Sequence, residues 1–171
     1  MRSFSEIKTS FTNIFKNNSD INNCLNDGTD IKWDDTTEFI FPIKGGRVIK
    51  CYDADTITIA SKMPYDGSPI YRFAIRLKGI DTPEIKGKDV DADEKQAACN
   101  ARDFVSNLVL NKYVRLENIE NEKYGRILAD VFINDINLNE LLIKERYAVK
   151  YHGGTKIKPT NWLKYTLTGE L

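Results

Sequence analysis

The chain has 171 residues, 41% hydrophobic and 29% charged, with 25 basic and 25 acidic side chains and a formal charge of zero. That size suits one domain that buries a core without staples, and zero charge excludes a strongly basic nucleic-acid coat, so any such affinity must come from a local patch. Three scattered cysteines (Cys24, Cys51, Cys99) and one histidine (His152) exclude a zinc ribbon, a His-rich metal site and a disulfide scaffold.

Phe4, Ile7, Phe11, Ile14 and Phe15 recur at helical spacing behind a Ser3–Glu6 capping box. This predicts an amphipathic helix over residues 4–16, suited to self-association or docking on a partner or its own domain. A membrane-surface helix or targeting arm is the alternative, for which its polar face is only weakly basic. With no apolar h-region and an early Glu6, the N-terminus does not read as a signal peptide, and an intracellular setting is expected. No stretch approaches the ~18 apolar residues of a membrane span. Residues 17–30 read as a polar linker, and residues 36–43 as an edge strand ended by Pro42. Gly45-Gly46 opens a candidate domain, giving an N-terminal extension over 1–44, a domain over 45–152 and a tail over 153–171.

From Arg47 the pattern changes to short strands. Residues 47–52 and 56–61 flank the tight turn Asp53-Ala54-Asp55. Residues 71–80 form the next strand, with Phe73, Ile75 and Leu77 on one face and Arg72, Ala74, Arg76 and Lys78 on the other. Asp81-Thr82-Pro83 breaks it. Asp91 and Glu94 make a capping-box-like start to a helix whose apolar face carries Ala97, Ala101, Phe104, Val105 and Leu108, with Asn111 at its end. Residues 112–119 and 126–133 read as a hairpin across Glu122–Gly125, and 138–146 as a short helix. The region from Tyr151 shows little periodicity. The pattern supports an α+β, mainly β class; an OB-like five-stranded barrel with helices, plus a helical arm, fits it.

Four short pieces gather charge at strand ends and turns: Asp53-Ala54-Asp55-Thr56, Arg76, Asp81-Thr82-Pro83-Glu84 and Tyr124-Gly125-Arg126. Carboxylates with carbonyls and water suit a hard cation such as Ca²⁺, and the lack of His and Cys partners argues against zinc. Two arginines plus a cation can clamp a phosphoryl group whose transition state gains negative charge.

The order Asp-x-Asp-Thr, then Arg-Leu-x-x-Ile-Asp-Thr-Pro-Glu, then Lys-Tyr-Gly-Arg-x-Leu-Ala resembles the staphylococcal nuclease (thermonuclease) family over residues 46–151. The resemblance implies an OB-fold that cleaves phosphodiester bonds of DNA and RNA with Ca²⁺, leaving 5′-hydroxyl and 3′-phosphate ends. It assigns Asp55 and Asp81 as calcium-binding carboxylates and Thr82 as the donor of a backbone carbonyl. It assigns Arg76 and Arg126 as the phosphate clamp, and Glu84 as the group that activates or positions the attacking water. Lys123 and Tyr124 match positions near the nucleotide's terminal phosphate, and Tyr151 a nucleotide-stacking tyrosine.

The chain departs from the family in places. Ala54 stands where the family commonly has glycine; at positive φ it would strain the turn by about 1–2 kcal/mol and shift Asp55. Residues 86–93 differ from the founding member's flexible loop, and the family's last helix is expected to be abbreviated or absent. The rival reading is a binding module, a catalytically weak or inactive barrel that holds nucleic acid or a partner without turnover. Cys51 and Cys99 read as packed thiols, His152 as a surface residue, and Asp89, Asp91 and Asp93 as loop and cap residues and not a second cation site.

Overall fold

The computed structural model describes residues 30–154 and 158–171. The predicted helix over 4–16, linker residues 17–29 and Cys24 lie outside the described residues. Contacts divide the chain into two units, residues 1–39 and 40–171. In the first, the described residues include a 3-10 turn, Trp33–Asp35, closed where Thr36 N–H donates to Trp33 O at 3.1 Å.

The second unit runs β1 (Gly45–Cys51), β2 (Thr56–Lys62), β3 (Ile70–Leu77), β4 (Ile80–Asp81), α1 (Ala92–Val109), β5 (Tyr113–Asn121), β6 (Ile127–Ile133), β7 (Ile136–Asn137), α2 (Leu138–Lys144), β8 (Val149–Lys150) and α3 (Trp162–Thr168). The first sheet has the order β3-β2-β1-β5-β6-β7, and β3 pairs again with β6, in parallel. That pairing closes β1, β2, β3, β5 and β6 into a five-stranded OB-class barrel with three helices. Strand alternation fills it. Ile127, Ala129, Val131 and Ile133 of β6 point inward beside Ile75 and Leu77 of β3. The glycines at the start of β1 are required by close approach: a Cβ at Gly46 would stand 2.5 Å from Ala60 O.

The edge strand expected over residues 36–43 does not form. Pro42 has no N–H to give a ladder, and the Ile43 N–H turns back to Phe41 O at 2.9 Å. The strand expected over 71–80 is split. It stops at Leu77, turns at Gly79 (φ 76°) and resumes as β4, which pairs with β8 through Ile80↔Lys150 and Asp81↔Val149. Helix α1 begins as expected, with Asp91 Oδ1 accepting from Glu94 N–H at 2.7 Å, and Asn111 takes φ 63° just past its end. Only half of the capping box is made, because the Glu94 side chain turns elsewhere (below).

Two features hold the bend that carries β4. The buried Asn139 at the start of α2 accepts from Val131 N–H at 3.0 Å and donates to Lys78 O at 2.8 Å, tying β6 to the β3–β4 turn. The Tyr151 N–H donates to Gly79 O at 2.9 Å, extending the β8 pairing. Helix α3 is the short element that closes the chain: Trp162 and Tyr165 bury against Ala97 of α1 and Val149 of β8. No helix among the described residues is long and apolar enough to cross a membrane.

Candidate active site

Three separate stretches of sequence meet at one end of the barrel. The β1–β2 turn presents Asp55, the end of β3 presents Arg76, and β4 presents Asp81. The β2–β3 register sets Thr56 opposite Arg76, and the β3–β6 pairing that closes the barrel brings Arg126, one residue before β6, to the same place. Asp55 and Asp81 are each only 3% exposed. The Arg76 guanidinium bridges them, with Nη1 2.5 Å from Asp55 Oδ1 and Nη2 3.3 Å from Asp81 Oδ1. Thr56 Oγ1 donates to Asp55 Oδ1 at 3.0 Å and accepts from Arg126 Nη1 at 3.4 Å. Arg126 also holds Glu122 in a two-pronged pair, Nε to Oε2 at 3.0 Å and Nη2 to Oε1 at 2.9 Å. One bonded chain therefore runs from Glu122 through Arg126, Thr56, Asp55 and Arg76 to Asp81.

Thr82 follows Asp81 and is buried; Glu84 is exposed two residues on. The Glu84 N–H donates to Glu94 Oε1 at 3.3 Å, and Glu94 Oε2 accepts from Lys158 Nζ at 3.0 Å. Glu94 is itself 6% exposed, a buried carboxylate that anchors the backbone of the Glu84 loop. Lys123 and Tyr124 sit exposed at the β5–β6 hairpin tip, with Lys123 Nζ 4.9 Å from the Tyr124 ring centre. Lys123 and Tyr151 line a cleft of about 520 Å³ together with Arg76, Lys78 and His152; Tyr124 is not part of that lining. The Tyr151 hydroxyl donates to Gly154 O at 3.2 Å.

Asp53, Glu94 and Glu122 escape the motif-based reading of roles. Asp53 Oδ1 is buried without a hydrogen-bond partner. Burial, then the charge and hydrogen bond of Asp55, push its carboxyl up to about 7, against the pull of Thr56 and Arg76. The Arg126 hydrogen bonds hold the Glu122 carboxyl below the usual range. The signal that would have found Asp53 is its place in the Asp-x-Asp turn. Glu122 is marked only by its place four residues before Arg126 across the hairpin turn, and the capping-box reading accounted for Glu94. Ala54 is 1% exposed and packs in the core, and it is not among the non-glycine residues at positive φ, so the turn holds Asp55 without the anticipated strain. Burial pushes the Cys51 thiol up, as befits a packed side chain. Asp91 caps α1 and Asp93 accepts from Asn161 Nδ2 at 2.8 Å, so both serve local structure.

Among the described residues, no three Asp, Glu, His or Cys side chains converge as a ready-made metal cage. The donor set that fits a hard cation is smaller: the Asp55 and Asp81 carboxylates and the Thr82 carbonyl, completed by water. The orphaned Asp53 oxygen belongs to the same turn, where burial and Asp55 oppose its ionisation, and a divalent cation there would favour the ionised form.

Residues 74–164 match the family described as staphylococcal nuclease homologue. The match spans Arg76 to Tyr151 and continues into α3, while the Asp53–Thr56 turn precedes it. A thermonuclease from Staphylococcus hyicus is 35% identical over 104 residues, 60% of this chain and 56% of that protein. An uncharacterized endonuclease from Escherichia coli is 31% identical over 62% of this chain and 60% of its own length. An uncharacterized protein from Methanocaldococcus jannaschii is 30% identical over 66% of this chain and 62% of its own. The matched region thus spans about half to three fifths of the length of these relatives.

Proposed function

This chain belongs to the family of staphylococcal nuclease homologues, and from that premise we propose that it hydrolyses phosphodiester bonds of DNA and RNA with little sequence specificity, using Ca²⁺ and leaving 3′-phosphate ends. The observation that carries this reading is the bonded chain from Glu122 to Asp81. It joins two guanidiniums and two buried carboxylates that lie far apart in sequence.

Each residue has a task in this reading. Arg76 and Arg126 donate to the phosphoryl oxygens as equatorial charge grows; a planar fork can serve two oxygens at once. Their carboxylate partners pre-orient them, so little reorganisation remains when the substrate arrives. Glu84 activates or positions the attacking water, on a loop anchored through its backbone by Glu94. Asp55, Asp81 and the Thr82 carbonyl would hold Ca²⁺, which would supply positive charge beside the phosphoryl oxygens. Lys123 and Tyr151 receive the nucleotide in the cleft beside Arg76, and Tyr124 follows Lys123 at the hairpin tip.

Cleavage of an end-labelled oligonucleotide in Ca²⁺ and in EGTA tests the reading. Wild type is expected to cut only in Ca²⁺, and Arg126→Ala to lose on the order of 10²–10³ in rate. A folded wild type that binds the oligonucleotide in Ca²⁺ without cutting it supports the binding-module reading instead. Full activity in Glu84→Gln removes the role given to that carboxylate.

A further inference from the structure

A second cleft, of about 510 Å³, opens against the other side chains of the centre. Asp53 and Glu84 line it, and it shares no lining residue with the cleft that holds Arg76, Lys123 and Tyr151. Its remaining charged lining is cationic and comes from three elements: Lys50 near the end of β1, Lys86 in the loop after Glu84, and Arg102 in the middle of α1. Tyr52 stands at the same cleft, 58% exposed, with Lys50 Nζ 5.8 Å from its ring centre. Arg102 spends Nε and Nη2 on its neighbour Asp103, at 3.0 and 2.8 Å, in a partly exposed pair.

Spread cations around an exposed aromatic ring are poorly suited to a small anion, which needs convergent, buried donors. They suit a chain of phosphates with bases between them. The two carboxylates keep phosphates off the Asp53–Glu84 side, so the phosphates belong at Lys50, Lys86 and Arg102. The Tyr52 face needs a base that is not already stacked within a duplex.

We propose that this second cleft is a polynucleotide subsite, in which Lys50, Lys86 and Arg102 contact backbone phosphates of the strand beyond the scissile bond and Tyr52 stacks on one of its unpaired bases. The proposal rests on the nuclease reading for the place of the scissile phosphate. On this proposal one strand fills both clefts at once.

The test uses the full chain in Ca²⁺ with a dinucleotide, a single-stranded dodecamer and a duplex of the same length. The variants are Tyr52→Ala and the double variant Lys50→Ala/Lys86→Ala. All three side chains are exposed, and unchanged thermal midpoints would show intact folds. The dodecamer is expected to lose on the order of tenfold in kcat/KM and in affinity with Tyr52→Ala, with the deficit growing from dinucleotide to dodecamer and absent on the duplex. The double variant is expected to lower the salt slope of dodecamer binding by about 1.4, or 0.7 for each phosphate contact removed. No deficit, or an equal deficit at both lengths, overturns the proposal. A wild type that binds the dodecamer with the same variant deficits yet does not cut it overturns the nuclease reading and leaves the subsite standing.

Discussion

Glu94 shows how one buried side chain sets the position of another. Its carboxylate faces the Glu84 N–H on one oxygen and the Lys158 ammonium on the other, at 3.3 and 3.0 Å. Lys158 is half exposed, so its pair with Glu94 contributes little to stability. Under the proposed function the hydrogen bond to Glu84 matters for geometry, because a carboxylate that positions or activates a water must be held within reach of it. Glu94→Ala is therefore expected to lower kcat on the order of tenfold while leaving KM for a short oligonucleotide within about twofold. Glu94→Gln keeps an accepting oxygen and is expected to recover most of the loss. Equal losses in both variants, or a change in KM alone, would remove the positioning role. At this scale the sequence is only partly legible. Asp55, Arg76, Asp81 and Arg126 carry short-range patterns that reveal them, whereas the role of Asp53 depends on its burial, that of Glu94 on Glu84 and Lys158, and that of Glu122 on how the hairpin turn sets it against Arg126.

Elements with enough residues to show a period were legible, and very short ones were not. The alternation of β3 and β6 and the helical spacing of α1 appear in the sequence because each buries one face over several residues. The pairing of β4 with β8 could not appear, since two residues carry no period and the partners lie some seventy positions apart. That pairing nevertheless fixes Asp81 and brings Tyr151 to the first cleft. Its support is Asn139, whose amide satisfies Val131 N–H and Lys78 O inside the barrel wall. Asn139→Ala strands the buried Val131 N–H and removes the tie to the partly buried Lys78 O, and it is expected to cost on the order of 2–4 kcal/mol in urea unfolding. Part of the fold's stability lies in α3 as well, where Trp162 is 2% exposed. Trp162→Ala is expected to cost about 3–5 kcal/mol by the same measurement. A loss below 1 kcal/mol for Asn139→Ala would mean that water reaches those groups after all, and the clamp would then not account for the bend at Gly79.

Across the whole molecule, a formal charge of zero conceals a strongly uneven interior. Asp53, Asp55 and Asp81 share one end of the barrel with a single bridging guanidinium, so under the proposed function a proton and Ca²⁺ would compete to neutralise the same charge. The Asp53 carboxyl lies at about 7 in the folded chain against an ordinary 3.8, because burial and Asp55 oppose its ionisation. The folded state thus binds this proton more tightly than the unfolded chain does. Its contribution to stability is complete below about pH 4, is eroded from there upward, and is fully lost once the pH has passed about 7. Ca²⁺ acts in the opposite sense, since it favours the ionised carboxylates. In EGTA the thermal midpoint is therefore expected to fall between pH 5 and pH 8. Ca²⁺ at a hundred times its dissociation constant adds about 2.7 kcal/mol, and this raises the midpoint by several degrees at pH 8. At pH 5 the same Ca²⁺ concentration is expected to raise it less, because a proton must leave. Asp53→Asn removes the titrating group and is expected to flatten the EGTA profile while raising the midpoint at pH 8. Differential scanning calorimetry across that pH range decides the matter: a Ca²⁺ shift of equal size at pH 5 and pH 8, with an unchanged slope in Asp53→Asn, would place both the proton and the cation somewhere other than this cluster.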